Sequence, residues 1–132
     1  MKKQSICYYA HTMLSYNSIT EKKDIELLEK LRFKVIYPNT PIISQECEKY
    51  SNLHGKDKVM QYFRDYIREN CDMVAFRGNP NGSILSGVSQ ELEEALKIGL
   101  PIIELPCSLK SRMMDYPKTK EYLNDIGFYK TK

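Results

Sequence analysis

Residues 71–106 read CDMVAFRGNPNGSILSGVSQELEEALKIGLPIIELP. A short apolar run, Asp72 to Phe76, is followed by a glycine-rich stretch from Arg77 to Ser86. A helical pattern then runs from Gly87 to Ile98, and a second apolar run from Leu100 to Leu105 carries Pro101 near its start. This is a strand, a loop, a helix and a strand, the repeating unit of a parallel sheet. Gly87, Glu91, Ala95, Gly99 and Pro101 fall in the spacing G-x-x-x-E-x-x-x-A-x-x-x-G-x-P. On a wheel of about 100° per residue, Val88, Leu92, Ala95 and Leu96 form the buried face. Glu91 lies on its margin, while Glu93, Glu94 and Lys97 point outward. A helix beginning at Gly87 puts Glu91 in its first turn, where the helix dipole favours the ionised carboxylate.

The same alternation extends toward the N-terminus. Ser5 to Ala10 is a β-prone run and predicts the first strand. A polar loop spans 11–17. Ser18 and Glu21 form an S-x-x-E capping box, opening a helix that runs to about Arg32. Phe33 to Tyr37 is the second strand, closed by Pro38. Residues 38–53 read as a long irregular connection, a length that is often functional, with room for a short helix at 46–50. A helix from about Gly55 to Asn70 buries Val59, Phe63, Tyr66 and Ile67. Beyond 106 the pattern predicts a short helix near 118–124 and an edge strand at 126–129. The whole is an α/β chain, a single three-layer Rossmann- or flavodoxin-like domain over 1–132 with a central parallel sheet of four to five strands. Right-handed crossovers place the loops 10–18, 38–54 and 77–87 at one sheet edge, so a ligand site is expected there.

A chain of 132 residues buries one core without staples. The net charge of +3 permits an anionic ligand but does not call for nucleic acid, and no basic stripe with interleaved aromatics is present. Four scattered cysteines without a C-x-x-C pair read as reduced thiols in a cytoplasmic protein. The N-terminus lacks the apolar run of a signal peptide. No stretch of about 18 apolar residues spans a membrane. His11, His54 and the cysteines make no metal-site spacing, so neither a metal nor a cofactor is expected. Exposed tyrosine and methionine positions point to a homodimer or larger homo-oligomer.

Chemistry concentrates at the sheet edge. Glu91 is a candidate nucleophile, or a carboxylate that stabilises an oxocarbenium centre. Gly78, Ser83, Ser86, Gly87 and Ser89 surround a helix N-terminus suited to phosphate or another anion. Neither G-K-[ST] nor G-x-G-x-x-G is present. Arg77 is placed to pair with an anion. His11 follows the first strand directly and Tyr16 a few residues later, placed to touch a ligand or to orient Glu91.

The segments YYAHTMLSYNSITEKKDIELLEKLRFKVIYP, CDMVAF and GVSQELEEALKIGLPII together resemble the nucleoside 2-deoxyribosyltransferase-like superfamily over residues 5–105. The resemblance implies cleavage or transfer at the N-glycosidic bond of a nucleoside or nucleotide, with retention. Glu91 matches the family nucleophile, Tyr8 or Tyr16 the tyrosine that positions it, and Asp65 the aspartate that contacts the base or protonates it. Ala10 and His11 form the loop that follows the first strand. The sequence departs from the family pattern at Glu93, which replaces a frequent glycine, and in the spacing of Asp65 from Asp72. Two other readings stand beside this one: a non-catalytic nucleotide sensor, and an N-glycosidase acting on a dinucleotide such as NAD.

Overall fold

The computed structural model describes residues 4–106 and 112–130. Four strands, β1 (Ile6–Ala10), β2 (Lys34–Ile36), β3 (Met73–Arg77) and β4 (Ile102–Leu105), form one sheet in the order β2-β1-β3-β4. Every pairing is parallel, with Tyr8 opposite Ile36 on one side and Val74 on the other. The helices are α1 (Ile19–Lys30), α2 (Pro41–His54), α3 (Val59–Asn70), α4 (Ser86–Ile98) and α5 (Tyr116–Asp125).

The pleat of β1 and β3 divides the core. Tyr8, Ala10, Val74 and Phe76 face Ile67 of α3 and Val88, Leu92 and Ala95 of α4. Cys7, Tyr9, Met73 and Ala75 face Leu28 of α1, with Leu105 beside them. This is the period-two alternation of strands buried on both faces. Asp72 anchors the N-terminal edge, its carboxylate accepting the Ile6 amide at 2.7 Å. Gly99 ends α4 in the left-handed region (φ +79°), where glycine alone is unstrained, and turns the chain into β4. The strand order reverses between β1 and β3, so the crevice above their C-terminal ends is where a ligand is expected.

Four expectations need correction. Residues 38–53 are not an irregular connection: 41–54 form α2. The signal was present in Thr40-Pro41, where Thr40 caps the Ile43 amide at 3.3 Å and proline sits in the first turn. The residues at 126–129 form a turn rather than an edge strand, because α5 closes into Gly127 at φ +80°. The capping box is only half built. Ser18 accepts the Glu21 amide at 3.1 Å, but the Glu21 carboxylate is drawn inward to other partners. Finally, α4 begins at Ser86 with Leu85 as its cap, so its first turn holds no acid and Glu91 stands in the second turn. The dipole acts mainly within the first turn, so it does not govern the charge of Glu91.

No described helix is long and apolar enough to cross a membrane. Cys7, Cys47 and Cys71 are free thiols, and Cys107 lies outside the described residues. Burial pushes Cys7 up to about 11 and Cys71 up to about 12.

Candidate active site

Two tyrosines, adjacent in β1, reach opposite faces of the sheet and each meets a buried carboxylate. Tyr8, fully buried, donates its hydroxyl proton to Glu91 Oε2. Tyr9 points the other way and donates to Asp24 of α1. The first pair opens onto a cavity, whereas the second is closed by Arg77.

The cavity of about 240 Å³ lies above the C-terminal ends of β1 and β3. Loop residues His11, Thr12, Met13 and Tyr16 form one wall. Val59, Met60 and Phe63 of α3, with Pro38, form a second. Leu85, Gly87, Val88 and Glu91 close it from α4. Glu91 is 4% exposed. One of its oxygens is held by Tyr8, and the other has no hydrogen-bond partner among the described residues. Burial pushes Glu91 up from 4.5 to about 7, against the opposing effect of the Tyr8 hydrogen bond. Desolvation therefore outweighs hydrogen bonding, and the expectation of an easily ionised acid is corrected.

Tyr16 lines the cavity, and its hydroxyl makes no hydrogen bond among the described residues. Burial, aided by the charges of Glu91 and Glu21, pushes it up to about 12. Its ring leans on His11, with centroids 5.0 Å apart. His11 in turn stacks flat on Tyr9 at 4.1 Å. His11 Nε2 lies 2.6 Å from Glu21 Oε2, and Nδ1 lies 3.3 Å from the Tyr9 carbonyl oxygen. Both ring nitrogens are engaged, so neither serves the cavity. Glu21 also accepts the Asn39 amide at 3.0 Å and the Asn17 backbone amide at 3.1 Å. This buried carboxylate thus ties together the loops after β1 and β2. Sequence reading missed the role of Glu21, because an S-x-x-E acid ordinarily turns back to its own cap.

The structure brings Tyr8, His11, Tyr16, Gly87 and Glu91 together at one sheet edge. Ala10 is buried beneath them in the core. Asp65 is elsewhere. It accepts from Gln61 at 2.7 Å and Arg68 at 2.8 Å, and lines a separate groove of about 470 Å³ between α2 and α3. That groove is larger but holds none of the sheet-edge residues. Arg77 is not free for an anion. Its Nε and Nη2 donate to Asp24 at 2.5 and 2.6 Å, and Nη1 donates to the Pro106 carbonyl. It floors a second hollow of about 330 Å³, lined also by Gly78 and sharing Thr12 with the first. Ser83 is used within its own loop, donating to Asn81 at 2.6 Å. Ser86 accepts from Gln90 at 3.2 Å and Ser89 donates to the Ile84 carbonyl at 3.3 Å. The glycine-rich loop therefore closes on itself rather than forming an open cradle. Among the described residues, no cluster of three or more His, Cys, Asp or Glu stands ready for a metal ion.

The arrangement presents one desolvated carboxylate, aimed by a tyrosine, at an apolar cavity of small-ligand size. A carboxylate so held can attack an electrophilic carbon or stabilise a developing cation. The chain matches no family model, no curated protein and no solved structure.

Proposed function

We propose that the chain cleaves or transfers at the N-glycosidic bond of a nucleoside or nucleotide, with Glu91 as nucleophile. The observation that carries this reading is the Tyr8–Glu91 pair at the floor of the sheet-edge cavity. Tyr8 occupies one carboxylate oxygen and leaves the other to meet the anomeric carbon. Attack there forms a glycosyl ester on Glu91 and releases the base. Water or a second base then attacks the same carbon, restores the carboxylate and gives overall retention. Val59, Met60, Phe63 and Leu85 exclude bulk water and provide a surface for a planar base. The resemblance in the β1, β3 and α4 segments supports the same chemistry.

The test is base release from a panel of nucleosides, nucleotides and NAD, followed by chromatography. Turnover that falls by at least a thousandfold in Glu91→Gln supports the proposal. Saturable binding without base release in the wild-type protein replaces it with the sensor reading.

A further inference from the structure

We infer that the Glu91 cavity takes a single nucleoside whose base carries a positive charge, an N-glycosylated pyridinium ring being the simplest case. The inference rests on the glycosidic reading for its chemical step, and on the cavity alone for its ligand class.

Three observations converge. First, the acid that lines the cavity, Glu91, faces no cation among the described residues: no lysine or arginine lines the cavity with it. The basic side chain in its wall, His11, is matched by the Glu21 carboxylate at 2.6 Å. Arg77, at the neighbouring strand end, is held by Asp24 at 2.5 Å. A phosphate group would enter beside a carboxylate with no cation to receive it, whereas a cationic ring would meet both a carboxylate and the faces of Tyr16 and Phe63.

Second, among the described residues the cavity offers no carboxylic acid besides Glu91 itself. Asp65 is occupied in the separate groove. The Tyr16 phenol, beside Glu91, is held in its protonated form by burial and by that negative charge. A neutral purine or pyrimidine leaves well only when protonated. A pyridinium needs no proton. As Glu91 bonds to the anomeric carbon, the C–N bond breaks and its electron pair passes to the ring nitrogen. The base departs as a neutral molecule. Water then attacks the glycosyl ester, the carboxylate is restored, and one proton goes to solvent. Charge and atoms balance without a second catalytic group.

Third, the volume suits one nucleoside. At about 240 Å³ the cavity lies at the small end of ligand pockets, which begin near ~300 Å³ for drug-sized molecules, so one nucleoside is nearer its size than a dinucleotide. The adjoining hollow over Arg77 meets it only at Thr12.

A cation bound here also draws Glu91 into its ionised form, so the substrate itself arms the nucleophile. The titratable groups facing Glu91 are Tyr8 from β1 and Tyr16 from the loop, with the His11–Glu21 pair behind Tyr16. The α3 wall supplies Val59, Met60 and Phe63, none of which titrates.

The experiment titrates wild-type and Glu91→Gln protein with nicotinamide riboside, nicotinamide mononucleotide, NAD, deoxyadenosine and thymidine by calorimetry at pH 6 and pH 8, and follows base release in parallel. The expected result is tightest wild-type binding of the riboside, at least tenfold tighter at pH 8 than at pH 6. That pH dependence is lost in Glu91→Gln and absent for thymidine. Such binding without base release upholds the ligand class and removes the glycosidic reading. Faster release from a neutral nucleoside, lost in Glu91→Gln, overturns the inference while leaving Glu91 a nucleophile; tighter binding of either phosphorylated form overturns the inference. Binding of none of them overturns both.

Discussion

Replacing Glu91 by glutamine removes a charge from the cavity floor and keeps its shape. The amide oxygen still accepts from Tyr8, so the hydrogen bond that spans β1 and α4 survives. What changes is the cost of holding a carboxylate 4% exposed. Burial lifts Glu91 from 4.5 to about 7. A carboxyl whose folded value is raised binds its proton more tightly in the folded state. Its contribution to stability is therefore best below about pH 4.5 and is lost progressively as the pH rises to about 7. At about 1.4 kcal/mol per tenfold change in proton affinity, that interval amounts to about 3 kcal/mol. The glutamine variant has no such loss. It is expected to be about 3 kcal/mol more stable than wild type at pH 8 and equal to it at pH 4. Urea unfolding at both pH values, followed by circular dichroism, measures the difference. A variant less stable than wild type at pH 8, or a difference that does not change with pH, refutes the argument that burial governs this carboxylate.

Further predictions concern the residues around it. Tyr8→Phe removes the hydrogen bond that favours the charged form, so the acidic limb of the base-release profile moves to higher pH. A hydrogen bond to a charged group is worth about 1.5–3 kcal/mol, so activity at pH 6 falls at least tenfold and recovers as the pH rises. Gly87→Ala separates stability from binding. A Cβ at Gly87 meets only Met60 Sδ, at 3.8 Å. The variant gains about 0.5–1 kcal/mol in thermal or urea unfolding, while its ligand affinity falls because the methyl group narrows the cavity. Arg77→Met leaves Asp24 buried with Tyr9 as its remaining partner, and unfolding in urea shows a loss of about 3 kcal/mol. Its loop anchor to the Pro106 carbonyl is lost as well.

Sequence periodicity carried the sheet and its flanking helices because strands buried on both faces and amphipathic helices leave strong local patterns. It allowed only a short helix at 46–50 where α2 runs from Pro41 to His54, because that helix is mostly exposed, with Ile43 its one buried residue. Without an apolar stripe, only the Thr40-Pro41 start was legible. The wheel singled out Glu91 correctly from Glu93, but it also assigned Glu94 to the outside, and Glu94 is 7% exposed. Packing of α3 against α4 covers it, and no single-helix pattern contains that neighbour. The residues alone leave both Tyr8 and Tyr16 as partners for Glu91, and the hydrogen bond from Tyr8 decides between them. The pairing of Arg77 with Asp24 joins residues 53 positions apart and had no local signal.

The most direct test of Glu91 as nucleophile is to trap the glycosyl ester. A 2-fluoro-substituted ribosyl pyridinium slows both steps by destabilising the oxocarbenium-like transition state, while its good leaving group keeps the first step ahead of the second. Intact-mass measurement after incubation is predicted to show one added fluoro-sugar. Peptide mapping is predicted to place it on Glu91. Base release from unsubstituted substrate with no adduct under these conditions, or an adduct on any other residue, contradicts the account.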